Sequence, residues 1–172
     1  MSLNGKIVYL LAEELYEEME LWYPYYRLLE EGAKVTLIGS GSATKYTGKT
    51  GAYPVKVDGK AADFSGDRCD ILIIPGGYAP DKMRRYPEMV RLVREAFAAG
   101  KIVAAICHGP SMLCSADVVR GKQVTGSPAI QVDLVNAGGE YLDVEVVVDG
   151  RLITSRRPDD LPAFCRAIIH AV

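Results

Sequence analysis

The chain of 172 residues has little of what marks several functional classes. It has no surplus of positive charge: 20 Lys and Arg stand against 22 Asp and Glu, a net charge of -2, which supplies no basic field for nucleic acid or an anionic bilayer. No apolar run approaches the ~20 residues that span a membrane, and the first residues lack the basic, apolar and small-residue zones of a signal peptide. Nucleic-acid and membrane partners are therefore not expected, and a cytoplasmic location is. Histidine is scarce, with only His108 and His170, and the four cysteines, Cys69, Cys107, Cys114 and Cys165, show no C-x-x-C spacing. A metal would have to be held by scattered ligands, and disulfide staples have no role in a cytosolic chain of this size. The expectation is four free thiols, no metal and no cofactor. Repeats, linkers and low-complexity segments are absent too. With 49% apolar and 24% charged residues, the length suits one domain, residues 1–172, able to bury a sizeable core.

What is present is a regular alternation of strand and helix signals. "KIVYLLA" from Lys6 reads as a buried strand, "YEEMELWYPYYRLLEEG" from Tyr16 as a helix closed by Gly32, and "AKVTLIGS" from Ala33 as a second strand. Pro24 lies inside the helical stretch and should bend it or remove one hydrogen bond. Residues 45–58 mix β-prone residues with Gly and Pro, which predicts a short excursion or hairpin. "CDILIIPGG" is a strand ending in a Gly pair, "PEMVRLVREAFAAG" a helix with Pro at its start and Gly past its end, and "KIVAAIC" the next strand. A short helix follows near "PSMLCSADVV", then a strand near "QVTGS" and a helix near "AIQVDLVNAGG". "YLDVEVVVDGRLITS" predicts a hairpin turning on Asp149-Gly150, and a final helix starts about Pro158. Continuous apolar strands between amphipathic helices imply an α/β fold, a flavodoxin-like three-layer α/β/α sandwich with a largely parallel sheet. Sites in such sheets form at the carboxyl ends of strands, near a switch in strand order.

The stretch "KIVAAICHGP" ends a buried-strand pattern on a cysteine, follows it with a histidine and then places Gly-Pro. A core does not require that order. A nucleophile where a strand turns sharply into a helix gains exposure, a positive helix N-terminus and nearby N–H groups for a developing oxyanion. Helix-end amides also favour a thiolate, lowering its pKa from the free value of ~8.5. A free cysteine is equally a common buried apolar residue; the adjoining His-Gly-Pro marks Cys107 and His108 as a cysteine nucleophile elbow. The pair Gly76-Gly77 is either an ordinary turn or a place where backbone N–H groups approach a substrate carbonyl. One β-α-β unit before the elbow, on an expected neighbouring strand, it becomes a candidate oxyanion hole. Among Glu13, Glu14, Glu17, Glu18 and Glu20 periodicity selects none. On a helical projection Glu20 shares its stripe with Arg27 and Glu31, which predicts a solvated face.

Together these segments resemble the DJ-1/PfpI (ThiJ) superfamily, and more closely its PfpI-type intracellular protease and glyoxalase/deglycase branch. The likeness spans nearly the whole chain. It rests on "AICHGP", on "EEMELWYPYYRLLEEG", on "LIIPGGYAPDKMRR" and on "DVEVVVDGRLITSRRPDDLPAFCRAI". The resemblance implies a nucleophile at Cys107, its neighbouring histidine at His108 and a hydrogen-bonded glutamate at Glu20. Oxyanion amides would come from Gly77 and His108, with Gly76 beside them. It further implies a Glu20 buried against Cys107, protonated by desolvation yet donating a hydrogen bond that favours the thiolate. In the PfpI branch an acidic residue after the Gly pair reaches the histidine of an adjacent subunit. The matching residue is Asp81, one methylene shorter than the Glu of hyperthermophilic members.

The function implied is a cysteine-dependent enzyme of stress protection in which Cys107 attacks an electrophilic carbonyl. Glyoxal or methylglyoxal conversion, deglycation and peptide hydrolysis all begin that way, and small reactive carbonyls fit better than peptides, for which the sequence advertises no extended cleft. The alternative is a redox-sensing or chaperone protein that uses an oxidisable Cys107 without turnover. A glutamine amidotransferase would need a His and Glu late in the chain, which His170 does not supply. Trp22, Tyr23, Tyr25 and Tyr26 are too many large rings for one helix face. With Asp81 they imply a homo-oligomer, a dimer or a hexamer.

Overall fold

Apolar runs without polar alternation are stable as strands only when both faces are covered, and the chain places them so. In the computed structural model, which describes residues 2–172, the order is β1 (Ile7–Ala12), α1 (Glu18–Glu30), β2 (Lys34–Gly39), β3 (Lys45–Tyr46), β4 (Val55–Lys56), β5 (Gly59–Lys60) and β6 (Ile71–Ile74). Then come α2 (Ala79–Met83), α3 (Pro87–Ala98), β7 (Ile102–Ile106), α4 (Pro110–Ser115), β8 (Gln123–Val124), α5 (Gln131–Asn136), β9 (Glu140–Tyr141), β10 (Val146–Asp149), β11 (Leu152–Ser155) and α6 (Leu161–His170). Seven strands form one sheet in the order β10-β11-β7-β6-β1-β2-β5. Every pairing in it is parallel except β10 with β11. All residues of β6 and β7 are buried.

The chain winds outward from β1 through β2 to β5, returns to the other side of β1 with β6, and continues through β7 to β11. Right-handed crossovers in opposite directions place their helices on opposite faces. Accordingly α1 packs with α6, and α3 packs with α4, giving the three layers. Strand order reverses between β1 and β6, so the crevice outside their carboxyl ends is where such a sheet takes a ligand.

Two sequence expectations shift here. In the β10–β11 hairpin Asp149 pairs with Leu152, so the turn is made by Gly150 and Arg151, one residue beyond Asp149-Gly150. Gly150 takes the positive φ of 62°, and the Asp149 carboxylate instead accepts from Lys122 Nζ at 3.1 Å and the Gln123 N–H at 2.9 Å. Glu140–Tyr141, expected at the start of that hairpin, pairs in parallel with β8 as a separate ribbon. Elsewhere α1 continues through Pro24; the ring has no N–H, so the missing bond is the one to the Glu20 carbonyl. Residues 45–58 form the expected excursion, with β3 and β4 antiparallel. No helix among the described residues is long and apolar enough to cross a membrane.

The turn after β7 depends on one close approach. The Gly109 N–H donates to the Ile106 carbonyl at 2.8 Å, and a Cβ at 109 would lie 2.5 Å from the Ile74 carbonyl oxygen and 2.8 Å from that of Ile106. Gly109→Ala should therefore force the ends of β6 and β7 apart and lower stability by about 1–3 kcal/mol, the usual cost of overpacking. Urea unfolding measures this, and an unchanged midpoint would show that the turn has room for a methyl group.

Candidate active site

Three strand ends bring together residues far apart in sequence: Cys107 after β7, the Gly pair after β6, and Glu20 on the first turns of the helix after β1. Cys107 has φ 62°, left-handed backbone that a residue with a side chain rarely adopts. It is pinned there from both sides. Its N–H donates to the Ser155 carbonyl at 3.0 Å, and its own carbonyl accepts from the Ser127 N–H at 2.8 Å. The half-buried Sγ lies 3.4 Å from His108 Nδ1, with the amides of Gly77 and His108 against it.

Glu20 is fully buried, which corrects the solvated face its helical stripe predicted. The stripe that faces inward is Glu20, Leu21, Pro24 and Leu28. A helix face changes surroundings along its length: Arg27 and Glu31 pair at 2.7 Å near solvent, whereas the first turn lies under the loops of the strand ends. Glu20 Oε2 accepts from the Gly76 N–H at 2.8 Å, so that amide is engaged with the carboxyl. Oε1 makes no hydrogen bond of ordinary geometry among the described residues, with the Cys107 thiol as the side chain against the carboxyl. A Cβ at Gly76 would come within 2.5 Å of Glu20 Oε2 and 2.7 Å of the Cys107 Cβ; only glycine lets these two acids face each other across the backbone.

Burial, reinforced by the charge of Glu17, raises Glu20 to about 7, against the pull of the Gly76 N–H. Burial and the Glu20 carboxylate push the Cys107 thiol up to about 12 despite the two amides. The lowered thiol expected from helix-end amides is thus outweighed by burial first and by the Glu20 carboxylate second, and α4 is a helix of only six residues. Between about 7 and about 12 the pair holds one proton between two acidic groups. Desolvation holds His108 below its ordinary value, opposed by Asp81. Asp81 of the same chain lines a pocket of about 330 Å³ with Gly77, Tyr78, Arg84, His108, Ser111, Ile130 and Asp133. No hydrogen bond joins Asp81 to His108 among the described residues.

Sequence reasoning missed two contributors. Glu17, which periodicity did not single out, is buried and raises Glu20, and Lys49 arrives from the 45–58 excursion to pair with Glu17. Neither periodicity nor local spacing connects residue 49 to residue 17. The aromatic residues of α1 divide: half-buried Trp22 and Tyr25 pack against the edge of the core, Tyr23 and Tyr26 are exposed, and Trp22 packs against Tyr25, Tyr26 and Tyr53 beside a groove of about 630 Å³ whose lining does not include Cys107. Among the described residues no group of three or more His, Cys, Asp or Glu could hold a metal ion.

A doubly wound α/β sandwich with a cysteine on a left-handed elbow beside a buried glutamate defines the class. The DJ-1/PfpI family model matches residues 6–171, and the chain belongs to that family. It is 46% identical to a deglycase of Pyrococcus horikoshii over 95% of this chain and 97% of that one. It is 40% identical to protein/nucleic acid deglycase 2 of Escherichia coli, covering 98% of each. Among solved structures it is similar to a two-domain protein of Anabaena variabilis with DJ-1/ThiJ/PfpI-like and ferritin-like domains, at a TM-score of 0.94 and 47% identity over 96% of this chain. It spans about half of that protein, 48% of its length.

A buried carboxyl raised from 4.5 to about 7 contributes stability that is fully present below pH 4.5 and is lost as pH rises through 7. The loss is on the order of 3 kcal/mol. Glutamine has no charge to desolvate and can still accept from Gly76. Glu20→Gln should therefore gain on the parent by that order between pH 4.5 and 8.5 in urea unfolding. A difference independent of pH would place the Glu20 titration at its ordinary value.

Proposed function

We propose that the chain is a cysteine-dependent enzyme that attacks electrophilic carbonyls, converting glyoxal and methylglyoxal or removing their early adducts in stress protection. The observation that carries this reading is the meeting of the buried Glu20 carboxyl and Cys107 across Gly76, with two backbone amides at the sulfur. When an aldehyde carbon enters, the Cys107 sulfur forms the S–C bond, the carbonyl π pair moves onto oxygen, and the amides of Gly77 and His108 hold that oxyanion. The thiol proton passes to the Glu20 carboxylate and returns when the adduct breaks down, while His108, kept neutral, shuttles protons on the pocket side. The names of the relatives support deglycation, and a pocket of about 330 Å³ with charged walls favours small polar carbonyls over an extended peptide.

A redox sensor needs a standing thiolate at neutral pH. A thiol pushed up to about 12 favours instead one that ionises as substrate arrives. Under reductant, the protein should consume methylglyoxal well ahead of a fluorogenic peptide, Cys107→Ala should abolish this, and Glu20→Gln should weaken it about 10²-fold. Turnover that survives in Cys107→Ala would end the reading.

The functional unit in this proposal is a homo-oligomer, a dimer or a hexamer, in which Asp81 serves the His108 of a neighbouring subunit. An exposed Asp81 that makes no hydrogen bond or ion pair among the described residues and the exposed side chains of Met19, Tyr23, Tyr26 and Tyr53 support it. The in-chain pocket that also holds Asp81 and His108 is the competing arrangement. Mixing Cys107→Ala with inactive Asp81→Ala subunits, with exchange shown independently, should restore partial activity. Verified mixed oligomers without recovery would assign Asp81 to its own chain.

A further inference from the structure

We propose that Lys49 is a positioning residue of this site: it holds a positive charge beside the buried acids of α1 and thereby governs how readily Cys107 gives up its proton. The proposal rests on Cys107 being the nucleophile. The segment that carries Lys49 is woven into the site by its backbone. The Leu15 N–H donates to the Thr47 carbonyl at 2.8 Å, and the Lys49 N–H to the Tyr16 carbonyl at 2.8 Å. Tyr16 bridges to Gly48 on one side and to Gly77 on the other, and the Glu17 N–H reaches the Gly76 carbonyl at 3.2 Å. Residues 47–49 are therefore one extended segment removed from the Gly pair beneath Cys107. The Thr50 N–H donates to the Glu18 carboxylate at 2.9 Å, and a Cβ at Gly48 would run into that same carboxylate, so the segment has a single seating.

Lys49 Nζ pairs with Glu17, whose side chain is 8% exposed against 39% for the lysine. A buried carboxylate without a cation is costly, and Lys49 is the ion-pair partner that the described residues give Glu17. The groups that act on Cys107 or on its two neighbours are Glu20 from α1, His108 with Nδ1 3.4 Å from the sulfur, the Glu17–Lys49 ion pair and Asp81. All but His108 and Lys49 are acids. Ionisation of Cys107 adds a further negative charge to this set, and Lys49 is the cation among these groups that offsets it.

The test is the pH–rate profile of Cys107 alkylation by iodoacetamide in the intact protein, followed by mass spectrometry, in the parent, Lys49→Met, Lys49→Arg and Glu17→Gln. Lys49→Met should slow alkylation at pH 8 by about tenfold and move the profile to higher pH, the scale expected for losing one nearby charge. Lys49→Arg should restore the parent profile. Glu17→Gln breaks the same ion pair but removes a negative charge, so it should speed alkylation and move the profile to lower pH. A lysine that merely holds the loop predicts shifts of one direction in both pair-breaking variants, and that result would overturn the proposal. If Lys49→Met does not fold, slower alkylation in Glu17→Gln overturns it alone. Preferential labelling of another cysteine in the parent would remove the nucleophile assignment, and this inference with it; Cys107 labelled first with profiles unchanged would remove only the role of Lys49.

Discussion

A carboxyl group without access to water must keep its proton or find a cation, and the centre of this molecule is arranged around one that does neither completely. Glu20 takes the Gly76 N–H, leaves one oxygen without a hydrogen bond of ordinary geometry among the described residues, and stands against a thiol that is itself desolvated. The Glu20 carboxylate makes the thiol harder to ionise, while the rise of Glu20 itself comes from burial and Glu17, against the pull of the Gly76 amide and the thiol. The arrangement disfavours the resting state at neutral pH, and a reaction that moves the proton off sulfur as a new bond forms relieves it.

That contact constrains much of the surrounding backbone. Gly76 must be glycine because carboxyl and thiol meet across it, and Gly109 because the elbow closes against the ends of β6 and β7. Cys107 holds a left-handed conformation only because Ser155 on β11 and Ser127 fix its amide and carbonyl. The strand that supplies Ser155 pairs directly with β7, so the geometry of Cys107 is set by a residue close in space and far along the chain. The acids gathered at the start of α1 would destabilise one another without the positive charge delivered by the 45–58 excursion. A segment that contributes little to the sheet is thereby drawn into the electrostatics of the site.

How much of this could be read in the chain alone varies with the range of the interaction. The buried strands, the proline and glycine that bound α3, the free thiols and the Cys-His-Gly-Pro elbow were legible, because each is written in local pattern and backbone preference. The hairpin was legible to within one residue, since a Gly beside Asp marks a turn but pairing decides which residues form it. Glu20 was assignable by resemblance and misread by periodicity.

The sequence by itself determined the layers, the parallel sheet and the cysteine elbow after β7, because hydrophobic period, turn chemistry and strand-to-helix punctuation act over a few residues. Only the tertiary structure decided that Glu13 and Glu17 lose water along with Glu20, that the Gly76 amide serves the Glu20 carboxyl, that Lys49 pairs with Glu17, and that the aromatic residues of α1 divide between the edge of the core and the surface. Those outcomes depend on what another part of the chain places over a given face, and desolvation and Coulomb forces respond to distance in space, which periodicity along one helix does not encode.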